Sequence, residues 1–136
     1  EVLRVKSNMD SGMFLPVQLA ADRALSLPAS WYQSVNAIYR ERRVAVESLL
    51  DEMGCRYSKK QAGMFVWAAV PEEIKDGYAL SDLLLYKAGV FITPGGIFGD
   101  AGNRYVRVSL CATEENIREC ISRVKKAGIL KPIQHV

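Results

Sequence analysis

Residues 103–110 read NRYVRVSL, in which Val106, Val108 and Leu110 alternate with Tyr105, Arg107 and Ser109. Strict alternation over this length predicts a strand with one apolar and one polar face. Arg107 falls in the middle of that strand, away from the ends where a long cation reaches water easily. Two readings stay open for it. The side chain snorkels to solvent or pairs with a neighbouring carboxylate. Alternatively it is a cation fixed on a rigid element, so that its planar fork takes a carboxylate through two bonds. Arg104 competes for that second role, but it stands at the loop–strand junction, where exposure is easier.

Working outward, the flanks complete an α+β pattern. PGGIFGDAGN (94–103) is a loop with four glycines, preceded by a brief strand over VFIT (90–93). GYALSDLLLYKAG (77–89) predicts a helix that Gly89 ends. Arg56–Ser58 and Met64–Val70 are strand-like and separated by polar residues and Gly63, which fits a hairpin. Downstream, Thr113 is placed to cap a last helix with Glu114 and Glu115 in its first turn. Ile117, Ile121 and Val124 form the buried stripe of that helix, and Gly128 ends it.

Toward the N-terminus, FLPVQLAADRAL (14–25) predicts a short helix stopped by Pro28. A long helix follows, from a Ser30 cap through Met53, with Gly54 as its terminating residue. Its apolar stripe runs Trp31, Val35, Ile38, Ala45, Leu49 and Met53; Val46 and Leu50 widen it and Arg42 interrupts it. The opening EVLRV reads as a strand. The order ααββαββα predicts an α+β fold: a small antiparallel or mixed sheet with helices packed on one face, preceded by the long amphipathic helix. Met64, Phe65, Trp67 and the LLL at 83–85 read as core.

Composition sets the class. The chain has 136 residues, 49% of them hydrophobic and 24% charged, as in an ordinary globular domain. The net charge is +3, with basic residues scattered among acidic ones. RERR (40–43) and RVKK (123–126) fall on helices, as solvated faces do, and no alternating aromatics or basic tail argue for nucleic acid. No apolar run approaches the roughly 18 residues of a membrane span. Cys55, Cys111 and Cys120 form no C-x-x-C pair, and the one histidine is His135, so there is no zinc set. They read as buried free thiols of a reducing compartment, the cytoplasm. The chain starts without Met or an apolar signal core and is expected to be a piece of a longer one.

The glycine loop is not a nucleotide cradle. It has no Lys-Ser/Thr pair entering a helix, and it leads into a strand. It is either a flexible turn or a mobile loop bordering a site, which its glycines and Phe98 permit. One histidine near the end rules out a Ser/His/Asp constellation, and no carboxylate pair stands out. On its residues alone the chain lacks a catalytic set.

The succession GMFVWAAVP, LLLYKAGVFITPGGIFGDAGNRYVRVSLC and TEENIRECISRV resembles the C-terminal small domain of class I and II aminotransferases, fold type I pyridoxal-phosphate enzymes. KSNMDSGMFLPVQLAADRAL and IYRERRVAVESLLDEMGC are also similar to that family, whose long helix carries a Tyr-x-x-Arg-Arg stretch. The ordered set G-x-F-x-W, A-G-V-x-x-x-P-G-x-x-F-G and Y-V-R-x-S gives the resemblance its specificity.

The resemblance implies that residues 1–136 are one small domain, with 1–54 as connecting segment and long helix. It implies that Arg107 binds the α-carboxylate of an amino-acid substrate and that Ile97 and Phe98 line the pocket. Ser7-Asn8 resembles a Ser-Asn pair that approaches the active site across a homodimer interface. The implied cofactor is pyridoxal 5'-phosphate, held mainly by a large domain that also supplies the lysine of a Ser-x-x-Lys segment. The Ser-x-x-Lys here, Ser122–Lys125, has ordinary amphipathic spacing and reads as a chance match. The implied reaction moves an amino group between an amino acid and a 2-oxo acid. Alternatives are a lyase or decarboxylase on the same fold, or the non-catalytic effector domain of an aminotransferase-like transcription regulator. No catalytic residue is expected within the chain, and alone it should be inert.

Overall fold

The structure, a computed structural model, describes residues 1–9 and 12–129; His135 lies outside them. The chain divides into two compact units, Glu1–Asn36 and Ala37–Val136.

The second unit is built on a four-stranded sheet. Its strands are β1 (Arg56–Tyr57), β2 (Phe65–Ala69), β3 (Thr93–Pro94) and β4 (Tyr105–Ser109), in the order β1-β2-β4-β3. Every pairing is antiparallel, which decides between the two sheet types the sequence allowed. In the central pair, Val66 faces Val108 and Ala68 faces Val106, and all four are buried. Helices cover this one face. The C-terminal half of α3 (Ala29–Glu52) contributes Ala45, Val46, Leu49 and Leu50. The α4 helix (Gly77–Ala88) adds Leu80 and Leu84, and α5 (Glu114–Ala127) adds Ile117 and Val124. Together with Met53, Val70, Val90, Ile92 and Leu110 they form one apolar cluster.

The helix ends follow local chemistry. The Asp76 carboxylate accepts from the Ala79 N–H at 2.8 Å, and Thr113 accepts from the Asn116 N–H at 3.3 Å. Gly89 and Gly128 close the two helices at φ 63° and 60°, the left-handed region that a side chain disfavours.

Several expectations need correction. The opening EVLRV is not a strand: α1 is a helix over Val2–Met9. A run this short carries no decisive period, and a helix closes its own backbone bonds where a strand needs a partner; Val5 N–H donates to the Glu1 carbonyl at 3.1 Å. The α2 helix (Leu15–Leu25) forms as expected. The long helix starts at Ala29, where the Trp31 N–H donates to the Pro28 carbonyl at 2.9 Å, so Ser30 sits inside the first turn and is no cap. It ends at Glu52, with Gly54 at φ 66° in the terminating turn. In its N-terminal half Trp31 and Ile38 are exposed, and the buried stripe begins only at Ala45. VFIT is not a four-residue strand, for pairing is confined to Thr93–Pro94. The Ser81 hydroxyl donates to the Ile92 carbonyl at 2.6 Å, which engages a group that a longer ladder would need.

Candidate functional site

Register builds the site. Trp67 of β2 and Thr93 of β3 both stand opposite Arg107 of β4. Residues directly opposite in an antiparallel ladder share a face. Since Val106 and Val108 point into the helical core, Arg107 projects from the other face, with Phe65 and Trp67 beside it. The prediction of Phe65 and Trp67 as core is therefore overturned. Both are half-buried on the outer face, while the smaller Val66 and Ala68 fill the space under the helices.

On that face the Arg107 guanidinium carbon lies 4.2 Å from the centroid of the Phe65 ring and 4.2 Å from that of Phe98. A cation held this close to two aromatic faces is attracted by both quadrupoles. Trp67 meets Phe98 edge-on at 5.5 Å between centroids, so the outer ring is itself braced. The Nε of Arg107 is sealed from solvent with no hydrogen-bond partner. Among the described residues no carboxylate pairs with this guanidinium. Of the open readings for this side chain, pairing with a neighbouring acid finds no partner among the described residues.

Arg104 separates cleanly from Arg107. Its Nη2 donates to the carbonyls of Pro71 at 2.9 Å and Val70 at 3.3 Å, and its Nη1 to those of Lys75 at 2.7 Å and Ile74. Its fork is spent on the backbone of the segment between β2 and α4. Arg42 is also structural. It donates to the carbonyls of Leu110 at 3.1 Å and Cys111 at 3.3 Å, which explains why the apolar stripe of α3 is interrupted there.

The glycine loop is not a loose turn. It winds through two short 3-10 turns, Gly95–Phe98 and Asp100–Gly102. A Cβ on Gly102 would meet the Gly95 carbonyl oxygen at 2.2 Å, and one on Gly95 would meet the Gly102 oxygen at 2.5 Å. These glycines allow two backbone passes to touch, and the contact fixes the turn that carries Phe98.

Of the expected site residues, the structure brings Arg107 and Phe98 together. Ile97 occupies the same turn and is exposed. Ser7 and Asn8 lie on α1 in the other unit, where both side chains donate back to the Arg4 carbonyl, at 3.2 and 2.7 Å. Phe65, Trp67 and Gln61 were missed as contributors. The Gln61 amide accepts from the Trp67 N–H and donates to the Trp67 carbonyl, both at 2.8 Å, standing in for a neighbouring strand where β1 has ended. Nothing in the local sequence marks this glutamine, but the spacing of Phe65 and Trp67 does place both rings on one face.

The thiols also depart from expectation. Cys55 is buried, and burial pushes its thiol up to about 12; Cys120 is partly buried and Cys111 exposed. Among the described residues no group of three or more His, Cys, Asp or Glu could hold a metal, and no helix is long and apolar enough to cross a membrane.

Comparison with known proteins gives a concordant result. The family model described as aminotransferase class I and II matches residues 2–124. The LL-diaminopimelate aminotransferase of Desulforudis audaxviator is 40% identical over 122 residues, covering 90% of this chain and 31% of that protein. Transaminase BacF of Bacillus subtilis is 37% identical over 119 residues, covering 87% of this chain and 30% of the relative. The substrate-bound structure of BacF superposes with a TM-score of 0.79 at 34% identity, covering 98% of this chain and 34% of that one. The chain thus spans about a third of the length of the relatives it matches.

Proposed function

The chain belongs to the class I and II aminotransferases, and on that premise we propose that it is the substrate-binding small domain of a pyridoxal-phosphate-dependent aminotransferase. One observation carries the reading: Arg107 lies against two rings, with no acidic partner among the described residues, on the face of the sheet that the helices leave open. In this reading its two Nη groups take the α-carboxylate of an amino acid or a 2-oxo acid. A planar fork fixed by the sheet sets the orientation of the bound substrate about its Cα, and positioning of that kind is a large part of catalysis. Phe98, and Ile97 on the same turn, border the bound molecule.

Pyridoxal phosphate, when bound, supplies the carbonyl that takes up the amino group and the ring that spreads negative charge. The residues described here do not fit that group. Lys125, in the Ser-x-x-Lys match, is ion-paired to Glu52 at 2.9 Å on the surface. The Arg107 fork suits the substrate's carboxylate instead. The cofactor's lysine and phosphate ligands belong, in this reading, to the part of the relatives' length that this chain does not span. Ser7 and Asn8 approach the site of a second subunit in a homodimer. Relatives named for LL-diaminopimelate support a place in amino-acid biosynthesis, and three unpaired thiols suit a reducing, cytoplasmic setting.

The test uses the complete protein loaded with cofactor. Incubated with an amino acid and a 2-oxo acid, it should return the exchanged pair. Release of ammonia and pyruvate would instead identify a lyase. Arg107→Ala should lower kcat/KM for an amino acid far more than for the amine lacking its carboxylate. Equal losses for both, or none, would overturn the role of Arg107.

A further inference from the structure

We propose that Gln61 is a positioning residue of the substrate site: its amide fixes Trp67, and Trp67 in turn seats the glycine turn and the ring that lies against Arg107. The proposal rests on the reading of Arg107 as the substrate-binding cation, and it adds to that site a residue that does not touch it.

The ladder between β1 and β2 ends at the pair Tyr57–Ala68, so continued pairing would set Ser58 opposite Trp67. The Gln61 side chain takes that place instead. Its Nε2 donates to the Trp67 carbonyl at 2.8 Å and to the Ser58 carbonyl at 3.0 Å, and its Oε1 accepts from the Trp67 N–H at 2.8 Å. In an antiparallel ladder, opposed residues alternate between pairs that exchange both backbone bonds and pairs that exchange none. Val70 N–H donates to the Arg104 carbonyl and Leu110 N–H to the Met64 carbonyl, each at 2.9 Å, so every second residue of 64–70 faces β4 with its polar groups. Trp67 belongs to the other set: its N–H and carbonyl are turned away from β4, toward Gln61. Trp67 and Arg107 are therefore a non-hydrogen-bonded pair, the kind in which facing side chains stand closest. The backbone of Trp67 is held at this point by one side-chain amide.

The indole ring carries that constraint to the site. A Cβ on Gly95 would stand 2.9 Å from the Trp67 Cζ3, so the ring packs on the bare Cα of this glycine. The same ring meets Phe98 edge-on at 5.5 Å between centroids, and the Phe98 centroid lies 4.2 Å from the Arg107 guanidinium carbon. Without the amide, Trp67 loses its hold at the sheet edge, and the turn and Phe98 lose the surface on which they rest. Only an amide offers a donor and an acceptor together at this reach. A leucine offers neither, and a carboxylate keeps the acceptor alone.

The experiment is steady-state kinetics of the complete, cofactor-loaded protein with an amino-acid substrate, for the parent, Gln61→Leu, Gln61→Glu, Arg107→Ala and the double variant of Gln61→Leu with Arg107→Ala. Gln61→Leu should raise KM roughly three- to tenfold, the span of a coupling within one contact network, and leave kcat within about twofold. Combined with Arg107→Ala, it should lower kcat/KM no further than Arg107→Ala does, because no fork is left to place. A merely structural glutamine would not behave so, since its loss would be felt in full in both backgrounds. Gln61→Glu still accepts from the Trp67 N–H and should fall between the parent and Gln61→Leu; should Gln61→Leu fail to fold, Gln61→Glu carries the same cycle. The same fold loss with and without Arg107, a loss confined to kcat, or an unchanged KM would overturn the positioning role. An Arg107→Ala protein with the parent kcat/KM would overturn the underlying reading of Arg107.

Discussion

Arg104 donates from Nη2 to the carbonyl oxygen of Pro71 at 2.9 Å, and in doing so it fastens the chain between β2 and α4 to the start of β4. The same side chain reaches the carbonyls of Val70, Ile74 and Lys75. Val70 and Pro71 are buried, and their bonds to the guanidinium are partly shielded from water. An unsatisfied buried carbonyl costs free energy that an exposed one does not.

Arg104→Ala should therefore destabilise the fold by about 2–3 kcal/mol, since a charged donor to several carbonyls is lost at once. Denaturant unfolding of the complete protein measures this. A midpoint unchanged from the parent would mean that the carbonyls find other donors.

Position in NRYVRVSL favours Arg107 over Arg104 as the site cation, but the role Arg104 has instead is not legible there, and the reason is geometric. What Arg104 touches is set by segment 70–75, about thirty residues upstream, and no local pattern encodes that meeting. The alternation of Val106, Val108 and Leu110 did place Arg107 on the outer face, because a two-residue period leaves no other choice. Alternation in FVWAA likewise separates two faces, but it does not say which of them the helices cover. Phe65 and Trp67 are the larger side chains, but Val66 and Ala68 are the ones buried under the helices, while Phe65 and Trp67 stay half-buried on the other face. Register across strands, which decides that Trp67 stands opposite Arg107, is a pair property. Glycines in a run such as 94–103 suggest freedom, whereas Gly95 and Gly102 serve the close packing of one backbone pass on another.

Gly102→Ala follows from that packing. The added Cβ would meet the Gly95 oxygen at 2.2 Å, a backbone atom that cannot swing aside. The turn must open, at a cost of about 2 kcal/mol or more in stability. Because the turn carries Phe98, affinity for a simple carboxylate such as propionate should fall in the same variant. Thermal unfolding and titration of one sample check both. A stable variant with parent affinity would show that the turn relaxes without moving Phe98.

Stability should also decline in alkali. Burial pushes the Cys55 thiol from an ordinary 9.0 up to about 12. Burial, together with the hydrogen bond to Asp51 at 2.9 Å, also raises the Tyr57 phenol. Both groups hold their protons more tightly when folded, so the unfolded chain binds fewer protons above pH 9 and stability falls as pH rises. The contribution is complete below the ordinary values and is lost on the way to the raised ones. Denaturant midpoints measured between pH 8 and pH 11 should drop steadily, and Cys55→Ala should flatten the slope. In alkylation at pH 8, Cys111 should react first and Cys55 last, following their exposure. A midpoint that holds constant to pH 11 would contradict the burial of Cys55.

Arg107→Lys is the sharpest contrast with Arg104. Removing the guanidinium forfeits two ring contacts, each worth about 0.5–1 kcal/mol at a partly exposed site. It also removes the buried Nε that has no partner, whose desolvation works against the fold by a similar amount. These terms nearly cancel, so Arg107→Ala and Arg107→Lys should shift folding stability by no more than about 1 kcal/mol, well short of the Arg104 loss. Recognition should respond differently. Arg107→Ala should weaken kcat/KM for amino acids by about 2–5 kcal/mol, the penalty for removing one partner of a desolvated charge pair. Arg107→Lys restores a charge but not a flat one. An ammonium has no plane to lie against Phe65 and Phe98 and no pair of parallel donors, so it should recover only part of the loss. Paired measurements on the complete protein, denaturation beside kcat/KM, read both sides. If Arg107→Lys restores full efficiency, charge alone is what the site uses, and the planar fork beside the two rings has no role in binding.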